Sequence, residues 1–285
     1  MSHSVSERPQ RFGGEWTGSK LKILQAYLET YTTLMKNQGF TLYYVDAFAG
    51  SGSVKVAEDA DGSSFLNGSV QIALDIDNRP FDHLLFVDID ARNVESLQEL
   101  IRNRNEQGRA EARRGNANDL LPRFLNDMGS FDRAVVFLDP FGAQVDWRPT
   151  VRSIARSEKC DTWILFPSGY IRRFLIPRRG TVRSEADRNE LIRVFGDDPT
   201  AELQRPVSQP SFFDPPGEVE TAAGTAAIVA AYQRRLGQEF AEVAAASRTL
   251  RNSNNAPIYE FMFAAANPRG AAKAVEIANH ILTRL

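Results

Sequence analysis

Three stretches carry side chains whose types and spacing could do chemistry: Asp46-Ala47-Phe48-Ala49-Gly50-Ser51-Gly52, Val87-Asp88-Ile89-Asp90, and Asp139-Pro140-Phe141-Gly142. Each closes an apolar or β-rich run, where a strand should hand over to a helix. A glycine turn at such a point brings backbone amides close to a ligand, and the next helix adds its own unpaired amides. The first stretch is not GxGxxG and lacks the Gly-Lys-Ser/Thr of a phosphate-binding loop, so no lysine reaches a β or γ phosphate. With Asp46 before the turn, it suits S-adenosylmethionine, whose cationic sulfonium and amino group need carboxylate and carbonyl partners. Asp88 stands where a carboxylate accepts both ribose hydroxyl hydrogens, and Asp90 is expected to cap the helix starting at Ala91. In Gly115-Asn116-Ala117-Asn118-Asp119, Asn116 offers a carboxamide where an adenine edge would lie, and Asn118 is expected to cap the following helix.

The third stretch would handle the acceptor. Pro140 cannot donate a ladder hydrogen bond and ends its strand, freeing neighbouring carbonyls to face a cleft. The Asp139 carboxylate and Pro140 carbonyl can then accept the hydrogens of an exocyclic amino group while Phe141 stacks on its ring. Aiming a nitrogen lone pair at a methyl sulfonium is mostly positioning.

Those turns need strands to carry them. "TLYYVDAF", "HLLFVDI", "AEARRGNA", "RAVVFLD" and "CDTWILFP" read as strands, separated by the helical patterns "GSVQIALDI", "ARNVESLQELIRNRN", "NDLLPRFLND" and "WRPTVRSIARS". The alternation predicts an α/β, Rossmann-like, mostly parallel doubly wound sheet over residues 17 to about 167. Before it, Leu21, Leu24, Leu28, Tyr31 and Met35 mark one helix face, with Thr17 or Ser19 placed to cap its start. Residues 1–15 read as a flexible polar arm, and 16–285 as one domain. An insertion of about 168–222 breaks the βα rhythm with a proline-rich run, and is the expected substrate or partner region. An alanine-rich helix follows, then strands around "SRTLRNS" and "IYEFMFAAA" paired as an antiparallel hairpin at the sheet edge, then a closing helix.

Composition narrows the classes. No apolar run reaches the roughly 18 residues of a membrane span, and the amino terminus lacks a signal-peptide core, so a cytoplasmic location is expected. The 285-residue chain has one cysteine, Cys160, and three histidines. That excludes an internal disulfide and leaves no zinc or iron-sulfur spacing. A net charge of −2 argues against a uniformly basic surface, yet lysine is confined to six positions and the rest of the 34 basic residues are arginine. Arginine suits phosphates and planar bases. In "SGYIRRFLIPRRGTVRSEADRNELIRVFG" a surplus of arginine is interleaved with Tyr170 and Phe174, as nucleic-acid contact requires; a salt-bridged surface helix has the same composition. "RNRNEQGRAEARRGN" reads as solvated surface, and Cys160 and Trp163 as packing residues.

"EWTGSK…VDAFAGSGSV…DPFG" resembles amino-methyltransferases of the class I fold, specifically the DNA adenine-N6 group with its Trp-x-Gly-Gly-Lys, Phe-x-Gly-x-Gly and Asp-Pro-Pro-Tyr segments. Trp16 and Lys20 match the first, Phe48, Gly50 and Gly52 the second, and Asp139 and Pro140 the third. By that resemblance Trp16 and Lys20 line the cofactor pocket. Phe141 and Gly142 replace the second proline and the tyrosine, and no target-recognition domain intervenes, so DNA adenine methylation does not carry over. A longer series, "WTGSKLKILQAYLETY", "YVDAFAGSG", "NGSVQIAL", "FVDID", "FLDPFGAQVDW", "DTWILFPSG" and "IYEFMFAAANPRG", looks like the three-Cys-motif partner protein family over residues 15 to 285. That resemblance implies a methyltransferase-like fold and a radical-SAM-like neighbour that carries the cysteines. The expected activity is transfer from S-adenosylmethionine to an amino group, of a nucleobase in RNA or DNA; the alternative is a non-catalytic partner of the radical-SAM-like protein or of nucleic acid.

Overall fold

The computed structural model describes residues 15–55, 65–175, 184–205, 221–222 and 224–285. The arm expected at the amino terminus lies outside the described residues up to position 14, as does much of the expected insertion.

Five strands run parallel: β1 (Thr41–Asp46), β2 (His83–Asp88), β3 (Ala110–Arg114), β4 (Asp132–Leu138) and β5 (Cys160–Phe166). Their order across the sheet is β3-β2-β1-β4-β5. The chain winds outward from β1 to one side through β2 and β3, then returns to the other side for β4. The crevice beyond the carboxyl ends of β1 and β4 is therefore the topological switch point, where open α/β sheets bind ligands. After β6 (Glu242–Val243) and β7 (Arg248–Arg251), β8 (Pro257–Ala265) enters antiparallel beside β5. Both short strands pair with β8, at different stretches of its length, so together they form one interrupted edge. The expected hairpin is present, and its second strand lies inside the sheet.

Ten helices cover the faces: α1 (Glu15–Met35), α2 (Ser69–Leu74), α3 (Ala91–Asn103), α4 (Ala117–Asp127), α5 (Arg152–Ser157), α6 (Ser168–Leu175), α7 (Glu185–Phe195), α8 (Thr200–Leu203), α9 (Thr225–Glu239) and α10 (Ala271–Arg284) among the described residues. The central strands β4 and β5 are near-continuous apolar runs because both faces are covered, whereas β3 at the border alternates. In β4, Val135 and Phe137 join the core under α1, α2, α3 and α10. Ala134, Val136 and Leu138 join the opposite core under α4, α5, α6, α7 and α9.

Helix α1 is buried more widely than a single stripe. Ile23 and Tyr27 are as enclosed as Leu24 and Leu28, because α1 packs on the sheet and also meets α2 and α10. Tyr27 stacks edge-on to Trp163 at 5.3 Å and donates to Asp161 at 2.7 Å. Buried side chains of this size each contribute roughly 1.5–3 kcal/mol. Neither Thr17 nor Ser19 caps α1: the helix already runs from Glu15, so both lie inside its first turns. Glycine 39, at φ +71°, ends it after a short 3-10 turn.

Candidate functional site

The period of two in β-strands decides what faces what at the switch point. Asp46 and Phe137 are partners across the β1/β4 ladder, so their side chains share the α1 face. Asp139, two residues past Phe137, continues that face. Lys20 of α1 comes down onto it, forming an ion pair with Asp139 while its ammonium sits 5.7 Å from the Phe137 ring centre. The Lys20 side chain is 7% exposed and that of Asp139 23%. The structure thus joins two residues that the sequence separates by 119 positions.

Behind them Asp46 is fully buried, accepting from Ser69 Oγ at 2.5 Å and from the Phe48 amide at 3.2 Å. Burial pushes its pKa up to about 7; the Ser69 bond opposes the shift, and the nearby Asp139 charge adds to it. Tyr44, two residues back on the same face, is fully buried beside both carboxylates, and burial followed by those charges raises its phenol. Asp46 therefore braces the turn and the start of α2. It does not present an open carboxylate to a ligand.

The glycine turn is shaped from its backbone outward. Gly50 and Gly52 have φ +60° and +78°, the left-handed region that favours glycine. A Cβ on Gly52 would meet Leu97 Cδ2 at 3.1 Å, whereas one on Gly50 would project into open space. Asp88 holds the turn: it accepts from the Gly50 amide at 2.9 Å, the Asp90 amide at 2.8 Å and Asn93 Nδ2 at 3.1 Å. Asp90 caps α3 through the Arg92 amide, as expected. Ile89 beside it is 68% exposed, an apolar side chain at the rim. Phe48 is half-buried against the α4 side of the core.

These residues fit the ribose and base of a nucleoside: an open backbone at Gly50, a partly exposed carboxylate acceptor, Asp88, at the tip of β2, and the exposed apolar side chain of Ile89.

Asn116, not Asn118, caps α4: its side chain accepts from the Asn118 amide at 2.9 Å. The expectation for Asn118 fails because it is buried, where its carboxamide ties down the segment after Asp139. It donates to the Gln144 carbonyl at 2.9 Å and accepts from the Asp146 amide at 3.0 Å and Thr150 Oγ1 at 2.6 Å. Asn116 itself is exposed.

In the fourth-strand turn Pro140 is buried and Phe141 is 64% exposed. The Phe141 amide donates to Gln144 Oε1 at 3.2 Å, and Gly142 turns the chain at φ +81°. Tyr259 of β8, which the sequence did not single out, takes a backbone hydrogen bond from Gly142; burial chiefly raises its phenol. Its place on the odd-numbered, α1-facing side of the late strand was the available signal. The side chain of Trp16 lies outside the described residues.

The arginines of the insertion divide. Arg188 pairs with Asp198, and Arg193 with Glu190 and Asp146, which is the salt-bridged alternative. Arg172 and Arg173 are exposed on α6, where Tyr170 packs edge-on to Phe174 at 5.0 Å. Arg178, Arg179 and Arg183 lie outside the described residues. The other basic run is ion-paired surface: Arg104 with Asp75, Arg109 with Glu106 and Arg113 with Glu111. Cys160 and Trp163 are fully buried packing residues. Among the described residues no cluster of three His, Cys, Asp or Glu could hold a metal ion, and no helix is long and apolar enough to cross a membrane.

No family model matches the chain, and no curated protein matches its sequence. The three-Cys-motif resemblance therefore stands on its motifs alone. Among solved structures the chain is similar to protein LPL1258 from Legionella pneumophila, of family model DUF519. The TM-score is 0.55 at 10% identity, over 95% of this chain and 93% of that one. A weaker likeness is to Trm1 from Pyrococcus horikoshii in complex with S-adenosyl-L-methionine, with TM-score 0.44 at 11% identity over 89% of this chain and 58% of that one. Another is to the N-terminal domain of EvdMO1 with SAH bound, with TM-score 0.38 at 12% identity over 84% and 80%. The strand order β3-β2-β1-β4-β5, followed by the reversed strand β8 beside β5, is that of the Rossmann-like class I methyltransferase fold.

Proposed function

We propose that the protein is an S-adenosylmethionine-dependent methyltransferase acting on an amino group of a nucleobase in RNA or DNA. What carries the reading is one juxtaposition: the open glycine turn after β1 and the Asp139-Pro140-Phe141 turn after β4 end side by side at the switch point. Asp88 accepts the ribose hydroxyls, and the Gly50–Gly52 backbone lies against the nucleoside. When bound, the cofactor supplies an electrophilic methyl group. Asp139 Oδ1, which accepts no hydrogen bond among the described residues, and the Pro140 carbonyl take the hydrogens of the acceptor nitrogen. Phe141 stacks on the base. The acceptor nitrogen gains the methyl as the carbon-sulfur bond breaks, the bonding pair passes to sulfur to leave S-adenosylhomocysteine, and the nitrogen gives its surplus proton to Asp139 and on to water. Positioning of this kind accounts for much of the barrier lowering in such transfers. Arg172 and Arg173, with Tyr170 before them and Phe174 after them on α6, suit the phosphates and bases flanking the acceptor.

Calorimetry with S-adenosylmethionine, followed by tritiated-methyl transfer onto fractionated tRNA, rRNA and DNA, tests the reading. Binding that Asp88→Ala weakens, and transfer that Asp139→Ala abolishes, are expected; absence of binding to the unaltered protein removes the proposal.

A second reading draws on the Lys20–Asp139 ion pair, which engages one carboxylate oxygen of the acceptor turn, and on Phe141-Gly142 in place of Pro-Tyr. In it the chain is a non-catalytic, methyltransferase-like partner of a radical-SAM-like three-Cys-motif protein or of nucleic acid. Co-purification separates the two: a stable complex without any methyl transfer favours the partner, and Asp139-dependent transfer excludes it.

A further inference from the structure

The turn that carries Asp139 is held from several sides. Lys20 engages Asp139, Gln144 the Phe141 amide, Tyr259 the Gly142 amide, and Asn118 the Gln144 carbonyl and Asp146 amide. Each of those belongs to the sheet, to α1 or α4, or to the turn itself. A further hold comes from the insertion. Arg193 of α7 donates Nη1 to Asp146 Oδ1 and Nη2 to the Ala143 carbonyl. Its Nε and Nη2 also donate to Glu190, at 3.0 and 2.6 Å, which keeps the guanidinium in plane from one turn earlier on the same helix. Three nitrogens of one rigid fork are thus used across two elements, an arrangement that a lysine cannot reproduce.

We propose that Arg193 is a positioning residue for the acceptor turn, so that α7 of the insertion is a working part of the site. Its grip on Ala143 and Asp146 fixes the far limb of the turn whose near limb presents Asp139, Pro140 and Phe141. The difference from Asn118 matters. Asn118 is 9% exposed, and its loss would leave buried carbonyl and amide groups unpaired in the core. The Arg193 side chain is 35% exposed, so water can replace its hydrogen bonds without the core giving way. Losing it should free the turn while leaving the glycine loop intact. The kinetic consequence rests on the methyltransferase reading; the mechanical one does not.

The test compares the full chain with Arg193→Met, Arg193→Lys and Gln144→Ala. Amide hydrogen exchange over residues 139–147, thermal midpoint, S-adenosylmethionine calorimetry and methyl-transfer kinetics are measured on each. Arg193→Met is expected to speed exchange over 139–147 by about tenfold or more, with other segments unchanged. Cofactor affinity should stay within about twofold, and kcat should fall on the order of 10- to 100-fold with a smaller change in acceptor KM. Arg193→Lys should fall between, and tens of millimolar guanidinium, but not equal sodium chloride, should restore rate to Arg193→Met. Gln144→Ala, an exposed position that frees the Phe141 amide, should loosen the same segment. Unchanged exchange over 139–147 in Arg193→Met overturns the proposal, as does faster exchange throughout the molecule. If the turn loosens as expected while the unaltered protein neither binds cofactor nor transfers methyl, the positioning role stands and the methyltransferase reading falls.

Discussion

Lys20, near the start of the first helix, and Asp139, just past the end of the fourth strand, form an ion pair on the α1 face of the sheet. The lysine is the more enclosed partner, so the two halves of the pair should not be equally costly to remove. Asp139→Ala takes from a buried ammonium the carboxylate it is paired with, whereas Lys20→Met leaves a carboxylate that water can reach. Breaking such a pair costs about 3 kcal/mol, and Asp139→Ala should be the more destabilising in urea titrations. Equal losses would show that the pair is more hydrated than its burial indicates.

Asp46 should make stability fall with rising pH. Its folded pKa of about 7 lies above the unfolded value of about 4, so between those values the native state keeps a proton that the unfolded chain has lost. The contribution is fully present below about pH 4, is lost through the window, and stays lost above about pH 7. Asp46→Asn removes that slope. Relative to the unaltered protein, it should gain about 2–3 kcal/mol between pH 5 and pH 8 in urea denaturation.

Gly52→Ala should strain the cofactor turn. It places a Cβ at φ +78° and 3.1 Å from Leu97, and an alanine there costs about 1–2 kcal/mol. S-adenosylmethionine affinity should fall by about tenfold in calorimetry, because the backbone must withdraw from the ligand. Gly50, which points into open space, should tolerate alanine with less steric cost.

Phe141→Ala should separate function from stability. At 64% exposure the ring adds little to the fold, so the denaturation midpoint should move by less than about 0.5 kcal/mol in energy. Acceptor binding should weaken by about 1–3 kcal/mol, the worth of a base stacked on an aromatic ring, read as KM for the nucleic-acid substrate. An unchanged KM would place the base elsewhere.

Much of this architecture was legible because it follows from local periodicity. The five parallel strands, the helices between them and the late hairpin appear where apolar runs and turn residues put them. The capping role of Asp90 was equally local. What escaped depended on contacts that no short window contains. Asn118 looked like a cap because it sits beside one; its carboxamide turns inward to residues 144–150 instead. Asp46 looked like a ligand-facing carboxylate; Ser69, brought to it from the start of α2, engages one of its oxygens in a fully buried setting that no short window contains. Tyr259 and Arg193 reach the Asp139 turn from distant chain segments, Arg193 from 47 and 50 residues beyond its partners Asp146 and Ala143, and only the folded topology brings them there.

The interrupted border formed by β6 and β7 bears on how the molecule behaves in a crowd. Two short pieces share the flank of β8, with a register shift between Leu250 and Arg251, so no long straight row of free amides and carbonyls is offered there. At the opposite border β3 is five residues long, with Glu111 and Arg113 exposed. Brief, kinked or charged margins are poor templates for a strand from another chain. Association by extension of the main sheet is therefore disfavoured at both of its borders.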